Sequence, residues 1–366
     1  MKLDDIAIMA GVSKSTVSRA LANSPKIKES TRKRIQALAA EHNYQPNSLA
    51  QAVASKHSGI LGFCLLKKEH PSFGHPFFGP VLDGAIQEAQ KCGYHLILAA
   101  NSGNHSFDEA FIKDAIDGVL LSSFSVESSM KEFQKRNIPQ VIINDLLYSD
   151  DADFIIDENY RGGLAITNHL VHECGRKRIA VITDRLSHTS YLTRYKAYID
   201  VLTASNAIPY SNSAFRDEDY YRDFAITSPR VLDELGLSDI PHFGTPILAT
   251  GTRIEHGYIC GKRLLATKDL PDAVFATADA LAVGAMHAFQ EAGIRIPEDI
   301  AIAGYDDVDC GRAAFPQLTT IQVNREEMGR AAVRALVERI HDPKSSSKTL
   351  YIPNKLIVRG STLSRQ

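Results

Sequence analysis

Apolar residues recur at helical spacing near the start of the chain and predict a pair of short helices. Ile6, Ala7 and Ala10 share one face of the first. Gly11 can adopt the positive φ that ends a helix, and Ser13 can cap the next one, so the two helices are predicted to meet across a tight turn. This pattern is typical of a helix-turn-helix.

The second helix of the pair has one apolar and one polar face. Val17 and Leu21 lie four residues apart on the apolar side. The polar side carries donors suited to phosphates and base edges, namely Lys14, Ser15, Ser18 and Arg19. A third helix is predicted with Ser30 as its cap, so residues 1–46 are predicted to form a small all-α domain whose second helix reads DNA.

From Gly59 the pattern changes to short apolar runs that alternate with amphipathic segments. The runs predict strands at 60–66, 95–99, 118–121, 141–143, 179–182, 246–249, 273–276 and 300–303. The segments between them predict helices at 81–92, 109–115, 128–136, 163–173, 191–205, 257–266 and 280–292. This alternation is typical of parallel sheets covered on both faces, and it predicts two α/β lobes with a ligand cleft at the carboxyl ends of their strands.

Charge is divided unevenly along the chain. Residues 1–57 carry nine Lys or Arg against four acidic residues, whereas the remainder carries 32 basic and 39 acidic residues. Because lysine and arginine displace counterions from phosphates, a basic head on an acidic body indicates a nucleic-acid contact confined to the head.

Cysteine usage and hydropathy exclude several other classes of protein. The five cysteines are scattered and form no CxxC pair, so neither a disulfide framework nor a zinc site is predicted. No apolar run has membrane length, and the chain begins with the helix-turn-helix pattern rather than a signal peptide. We expect a cytoplasmic protein without a metal, a cofactor or a membrane partner.

Eight short motifs follow one another along nearly the full chain. They are AGVS at 10–13 with TVSR at 16–19, NYQPN at 43–47, HPFF at 75–78, DGV at 117–119, Arg194 before AY at 197–198, AD at 278–279 before AVGA at 282–285, GYDD at 304–307 and PQLTTI at 316–321. In this order they resemble the lactose repressor and galactose repressor family of bacterial transcription regulators. The resemblance implies an all-α helix-turn-helix head plus an α/β periplasmic-binding-protein-like body of two doubly wound lobes.

The resemblance also implies a domain organisation. Residues 1–46 would bind DNA, 47–57 would be a hinge helix, and 58–366 would bind the effector and dimerise. Lobe 1 is expected at about 58–157 and 324–350, and lobe 2 at about 158–323 and 351–366. In the family, paired recognition helices enter the major grooves of operator DNA, hinge helices enter the minor groove, and an effector in the cleft changes DNA affinity.

DNA contacts carry over from the family by position. Lys14 and Ser15 match the family's base-reading pair, and Arg19 matches a further base or phosphate contact. Capping and phosphate positioning are expected instead for Ser13, Thr16 and Ser18.

The hinge departs from the family at one position. Asn47 and Ala50 match hinge positions at the DNA, Ala50 in the minor groove, and Val53 stands where the family places a leucine wedge. Because valine is shorter, wedging and bending of the DNA should be weaker. The alanine-rich segment around these residues is too short to form a stable helix alone in water.

Effector contacts are implied for five residues around the cleft. Phe77 and Phe78 match ring-contacting positions, Asn144 follows a strand, Arg194 supplies a guanidinium and Asp306 an acid. An arginine and an acid can bracket the hydroxyls of a sugar while an aromatic ring packs on its apolar face, so a sugar is the expected effector. The alternative is an interlobe salt bridge with core aromatics.

Further departures limit what carries over. Ala278 stands where many relatives have asparagine, and Asp279 is expected to cap the helix that follows it rather than bind ligand. The segment 210–243 is interpreted as an insertion that either caps the cleft or decorates the surface. His169 and His172 are expected on one solvated helix face rather than at a metal.

The predicted function is repression of carbohydrate-utilisation genes. No heptad repeat follows Pro353, so we expect a homodimer without the tetramer tail of some relatives. One alternative is a response to a non-sugar corepressor such as a nucleobase. A sugar-processing enzyme is another, with Asp145, Asp306 and Asp307 as acid or base, but no nucleophile, phosphate loop or metal set occurs at recognisable spacing. A transporter's binding protein would share the body without the basic head.

Overall fold

The computed structural model describes residues 3–21, 24, 26–42, 44, 57–66, 75–101, 116–122, 126–145, 152–184, 186, 188–205, 207–210, 215 and 246–363. The predictions for Asn47, Ala50 and Val53, and most of those for 210–243, therefore fall outside the described residues. The chain divides into two compact units, Met1–Ile60 with Asp108–Asp117, and Leu61–Phe107 with Gly118–Gln366.

The smaller unit contains a bundle of three helices, α1 (Leu3–Ala10), α2 (Lys14–Leu21) and α3 (Glu29–Glu41). Ile6, Val17 and Ile35, one from each helix, are fully buried at its centre. The prediction that Ser30 caps the third helix is wrong. The backbone is already extended at Lys28, which takes the cap position without a side-chain hydrogen bond, so Ser30 lies inside the first turn.

The larger unit contains two α/β lobes, each built on its own sheet. The first sheet comprises β1 (Ile60–Leu66), β2 (His95–Asn101), β3 (Gly118–Ser122), β4 (Gln140–Ile143), β5 (Asp153–Asp157) and β12 (Thr349–Ile352). Their order is β12-β5-β4-β3-β1-β2, and the pairs from β12 to β1 are parallel. Among the described residues, the helices of this lobe are α4 (Phe78–Lys91), α5 (Val126–Lys135) and α11 (Arg325–His341).

The second lobe has a sheet in the order β10-β9-β6-β7, with β8 paired to β6. Its strands are β6 (Arg178–Thr183), β7 (Ile208–Pro209), β8 (Ile247–Leu248), β9 (Ala273–Ala276) and β10 (Ala301–Ala303). The helices that the structure describes in this lobe are α6 (Asn159–Asn168) with a π-helical turn at His169–Glu173, α7 (Thr189–Ala204), α8 (Ile254–Leu265), α9 (Asp279–Glu291) and α10 (Asp309–Ala313). A separate antiparallel pair joins β11 (Thr320–Val323) to β13 (Asn354–Ile357).

Helices α4 and α11 of the first lobe touch through their backbones. A Cβ atom at Gly84 would lie 2.0 Å from the carbonyl oxygen of Glu326, and one at Gly329 would lie 1.9 Å from that of Val81. Only glycine permits this approach, so the two helices are held at one crossing.

The chain crosses between the lobes three times, after β5, after β11 and after β12. Asp157 is the last residue of β5, Asn324 caps α11 through Glu327 N–H, and Asn354 is the first residue of β13. Any rotation of one lobe against the other must be absorbed at these three points.

The expectation that both histidines lie on a solvated face is wrong for His169. Its ring is buried, with Nδ1 at 2.7 Å from Glu173 Oε2 and Nε2 at 2.9 Å from Thr362 Oγ1, because the π-helical turn directs the ring toward the end of the chain. His172 is exposed. The part of the chain that the structure describes holds no helix with the length and apolarity needed to span a bilayer.

Candidate functional site

The turn between α1 and α2 has the predicted geometry. Gly11 has a φ of 62°, and Ser13 Oγ accepts a hydrogen bond from Thr16 N–H at 3.2 Å. The same hydroxyl lies 2.9 Å from Ser15 Oγ and 2.8 Å from Thr16 Oγ1. Ser13 therefore caps α2 and orders its first turn, while Ser18, one turn further along, is half-buried.

The polar face of α2 presents three exposed side chains, Lys14, Ser15 and Arg19. Lys14 Nζ lies 2.5 Å from Asp4 Oδ1 in an ion pair whose two side chains are both about half-exposed. Such a surface pair contributes little, so Lys14 can exchange Asp4 for a phosphate or a base edge at small cost. The geometry is that of a short helix offering donors to a groove.

A cavity of about 380 Å³ opens between the two sheets and is called the interlobe cavity below. The first lobe contributes residues 75–78 before and at the start of α4, and the residue after β4. The second lobe contributes residues at the amino-terminal ends of α7, α8, α9 and α10. All five effector residues predicted from the sequence line this cavity: Phe77, Phe78, Asn144, Arg194 and Asp306.

Arg194 is held rigidly in the wall of the cavity. Its side chain is 2% exposed; Nε donates to Asn159 Oδ1 and Nη1 to the Thr277 carbonyl, both at 2.7 Å. The guanidinium carbon lies 3.6 Å from the centre of the Tyr305 ring, and Nη2 lies 3.4 Å from Asp306 Oδ1. A buried guanidinium needs this number of partners, and together they fix its orientation.

Asp306 reaches the cavity from a strained loop after β10, with a φ of 104°. Burial raises the pKa of its carboxyl to about 6, against the opposing effect of the Arg194 charge. The ion pair with Arg194 is long, and Asp306 Oδ1 is buried without a hydrogen bond from any of the described residues. A buried acceptor left unpaired at a cavity wall suits a ligand that donates a hydroxyl or N–H hydrogen.

The next residue, Asp307, points away from the cavity. Its carboxylate accepts hydrogen bonds from Arg312 at 2.8 Å, Arg359 at 2.7 Å and Gln322 at 3.0 Å. Burial alone would raise the pKa of Asp307, but these bonds hold it at about 2. Two adjacent acids thus have opposite roles, one structural and one facing the cavity.

Asp279 does not cap α9, and that prediction is wrong. Ala278 takes the cap position, and Asp279 is the first helical residue, with its carboxylate turned inward. The carboxylate accepts hydrogen bonds from Val308 N–H at 2.8 Å and Thr320 Oγ1 at 2.6 Å. A buried acid needs hydrogen-bond donors, and Asp279 finds them in Val308 and Thr320 rather than at the helix terminus. Asp279 thereby anchors the loop that carries Asp306.

The two phenylalanines serve as cavity wall and as core. Phe77 and Phe78 are each 6% exposed and belong to the apolar core of the first lobe, and their rings meet edge to face with centroids 5.1 Å apart. The two interpretations offered for them, ligand contact and core aromatics, are therefore compatible.

Asn144 joins the lobes on one side of the cavity. It has a left-handed φ of 64°, and its carbonyl oxygen accepts a hydrogen bond from Ser190 Oγ at 3.1 Å. Beside it, Thr189 Oγ1 donates to Asp145 at 2.7 Å. The start of α7 is thus fastened to the end of β4, and Asp145 makes an interlobe contact.

Several residues of the cavity were not predicted from the sequence. They include His75, Ser190, Tyr191, Arg253 and Glu255. The signal was present for His75, which belongs to the HPFF motif. Ser190, Arg253 and Glu255 were missed because the helices at 191–205 and 257–266 were predicted to begin two and three residues too late. Tyr191 was predicted only as the first residue of its helix.

A buried network leads from the cavity to the crossings between the lobes. Tyr305, whose ring lies under Arg194, donates its hydroxyl to Asp157 Oδ2 at 2.6 Å, and Asn354 Nδ2 donates to both carboxylate oxygens of Asp157 at 3.0 Å. Burial raises the pKa of Asp157, while Arg194 lowers it. Gly162 makes room for the network, since a Cβ there would lie 2.1 Å from Tyr305 Oη.

No metal centre emerges from this geometry. Over the described ranges, no three His, Cys, Asp or Glu side chains are grouped so that they could hold a metal ion. The cavity offers hydrogen bonds, aromatic surface and one fixed guanidinium, which are means of binding a small molecule.

Comparison with protein families gives two matches. Residues 167–362 match the periplasmic binding protein-like domain, and residues 2–47 match the bacterial regulatory proteins of the lacI family. The first match covers more than half of the chain. The predicted fold class is confirmed.

The curated relatives are full-length matches. The HTH-type transcriptional repressor PurR of Pasteurella multocida is 27% identical over 369 residues, with 99% of each chain covered. The ribose operon repressor of Haemophilus influenzae is 28% identical over 370 residues, covering 99% of this chain and 98% of the relative. These relatives are DNA-binding regulators, so the enzyme alternative is set aside.

Solved structures show the same fold. The lac repressor dimer bound to operator and the anti-inducer ONPF has a TM-score of 0.72 at 22% identity, covering 100% of this chain and 99% of that one. A complex of the transcriptional regulator CelR with cellobiose has a TM-score of 0.66 at 23% identity, covering 99% of both chains. The chain therefore belongs to the lacI family of bacterial regulatory proteins, as a transcription regulator that joins a helix-turn-helix head to a periplasmic binding protein-like effector domain.

Proposed function

We propose that this protein is a homodimeric repressor that binds a pseudo-palindromic operator in the cytoplasm and changes its operator affinity when a sugar enters the interlobe cavity. The observation that carries the sugar assignment is the fixed Arg194 guanidinium beside an Asp306 oxygen that accepts no hydrogen bond from the described residues, in a cavity with an aromatic wall. A sugar hydroxyl both donates and accepts, so one hydroxyl can serve both groups.

The names of two similar proteins support this proposal, since both refer to sugars. One is a ribose operon repressor, and a structure of the same fold holds cellobiose. Ala278 brings a methyl group rather than an amide to the cavity wall. We therefore expect a sugar that places an apolar edge, or a further sugar ring, beside Ala278.

A nucleobase is the second candidate, and the aromatic lining favours it. Phe77, Phe78 and Tyr191 could pack on a flat ring whose N–H groups donate to Asp306. Thermal unfolding of the full-length protein with ribose, cellobiose, hypoxanthine and guanine separates the two, because a cavity ligand stabilises the fold by mass action. If a purine base stabilises the protein and no sugar of a broad panel does, a nucleobase effector replaces the sugar proposal.

The operator can be identified by selection from random double-stranded DNA. The selected site should contain two inverted half-sites, because a two-fold dimer presents two identical α2 helices. The stabilising sugar, added to the selected complex, should shift its dissociation constant in fluorescence anisotropy. An operator without inverted symmetry would contradict the dimer.

Arg19→Ala is expected to weaken operator binding by about 1 to 3 kcal/mol while leaving random-DNA binding much less affected, if Arg19 reads a base edge. The measurement is anisotropy on both DNAs at one salt concentration. Lys33→Ala is the matched control, since Lys33 is an exposed cation of the same unit on α3. An unchanged ratio of operator to random binding would show that Arg19 only contacts phosphate.

Asp306→Asn is expected to remove a pH-dependent step in stability. Because the pKa of Asp306 is raised from 3.8 to about 6, the folded protein holds a proton between these values that the unfolded chain has released. The stability this gives is complete below about pH 4 and is lost as the pH rises through about 6. The wild type should therefore lose melting temperature relative to Asp306→Asn across that range.

The comparison isolates Asp306 from its neighbours. Burial also raises the pKa values of Asp279 and Asp157, but both residues are present in both proteins, so their contributions largely cancel in the difference. A difference in melting temperature that stays constant from pH 4 to pH 8 would contradict the assignment.

A further inference from the structure

A second cavity, called the edge cavity here, lies in the first lobe at the opposite end of its sheet. It has a volume of about 250 Å³ and lies where α5 ends, β4 begins and α11 ends. Gln140, the first residue of β4, lines it, whereas Asn144, just after β4, lines the interlobe cavity. The two residues are about 13 Å apart along an extended strand, so the cavities are separate.

Gln140 leaves one polar atom unused at the edge cavity. The residue is 1% exposed, its Nε2 donates to the Met130 carbonyl at 3.2 Å, and its Oε1 is buried with no hydrogen-bond partner among the described residues. Turning the amide over would place Oε1 against the Met130 carbonyl, two acceptors face to face, so the free atom is the oxygen. Buried side-chain acceptors are nearly always paired, which makes this one a point for a ligand donor.

The charges at the edge cavity are already compensated. Arg339, which lines it and is 5% exposed, donates to both oxygens of Asp153 at 2.9 and 2.6 Å, and Asp153 also accepts from Lys348 N–H at 2.8 Å. An ionic ligand would lose its hydration here without gaining an opposite charge that is not already paired. The cavity therefore favours an uncharged ligand.

The remaining wall is mixed, with Gln134 and Asn137 beside three apolar residues. Ile138, Pro139 and Pro343 line the cavity, and Asn137, in a left-handed conformation with a φ of 55°, holds the turn before β4. We propose that the edge cavity binds a small uncharged molecule that gives an N–H or O–H hydrogen to Gln140 Oε1 and lays an apolar face on the two prolines. Nucleobase-like amides and polyols share this chemistry.

The test uses ligand-observed saturation-transfer NMR on the full-length protein, with uracil as the N–H probe and xylitol as the O–H probe. Gln140→Leu removes the acceptor at similar size. Gln290→Leu is the matched control, because Gln290 Nε2 likewise donates to a carbonyl, that of Phe315, but on the exposed surface. At least one probe should bind the wild type and Gln290→Leu equally, and Gln140→Leu at least about tenfold more weakly.

Each outcome bears on the proposal. Binding of uracil alone, or of xylitol alone, supports the site and identifies its donor. The proposal is overturned if neither probe gives a saturation-transfer signal up to millimolar concentration, or if a probe binds Gln140→Leu with the affinity it has for the wild type. Binding lost in Asp306→Asn but kept in Gln140→Leu places the probe in the interlobe cavity and also overturns it. Should Gln140→Leu not fold, Gln140→Met removes the same acceptor and takes its place.

Discussion

The sugar-dependent change in operator affinity should be abolished by Arg194→Lys, while operator affinity without sugar stays at the wild-type value. Lysine keeps the positive charge next to Asp306 and Asp157 but cannot reproduce the fork that holds Asn159 and the Thr277 carbonyl together. The residues proposed to contact the operator belong to a separate compact unit, so operator affinity without sugar should be preserved. Anisotropy titrations of labelled operator with and without the stabilising sugar give both quantities.

The lysine variant is preferred because the structure changes what alanine would do. Arg194→Ala would leave two buried carboxylates without their cation, which costs about 3 to 5 kcal/mol and confounds binding with unfolding. Lys196→Ala, on the same helix and paired with the half-exposed Asp200, is the control that should respond normally. A wild-type shift in the operator affinity of Arg194→Lys at the same sugar concentration would disprove the role of Arg194.

Gly329→Ala is expected to destabilise the larger unit by about 3 kcal/mol or more. The new methyl group would lie 1.9 Å from the Val81 carbonyl oxygen, so α4 and α11 must separate and open the core between them. Chemical denaturation followed by circular dichroism measures the loss. The larger unit should unfold at lower denaturant concentration.

Gly360→Ala is the matched control for this prediction. A Cβ at Gly360 would come no closer than 3.2 Å to a neighbour, the Pro316 side chain, so only a small change is expected. If Gly329→Ala unfolded at the same denaturant concentration as Gly360→Ala, the close helix contact would not be a feature of the protein in solution.

Local chemistry was sufficient to predict the turn of the head but not every helix start. Gly11 and Ser13 act within a few residues of themselves, so the sequence reveals their roles. Ser30 and Asp279 look equally like caps in the sequence. In the structure, Lys28 takes the cap position before α3, and the Asp279 carboxylate accepts hydrogen bonds from Val308 and Thr320 instead of capping α9. Capping signals thus depend on the backbone that tertiary structure imposes.

Helix α11 was missed for a different reason. Arg339 interrupts its otherwise apolar buried face, and its contact with α4 depends on Gly329, which disfavours a helix when the sequence is considered alone. Packing in the first lobe outweighs that propensity. Strand β5 was also not predicted, although all five of its residues are buried.

The cavity residues were assigned through family resemblance, because no local pattern distinguishes Arg194 from other arginines. The structure places them together at the cavity, and their contact with an effector stays a prediction. The network below them could not be predicted at all. Tyr305 and Asp157 are 148 positions apart, and only the folded chain brings their side chains together.

The separation between that network and the rim of the cavity has a practical consequence for redesign. Residues 252–255, at the start of α8, line the cavity from a different helix than Arg194 and contribute no side chain to the described hydrogen bonds of Tyr305, Asp157 and Asn354. A library confined to these four positions could therefore change which molecule is recognised while the buried network below Arg194 stays intact. The protein would then be a suitable starting point for the design of genetically encoded sensors.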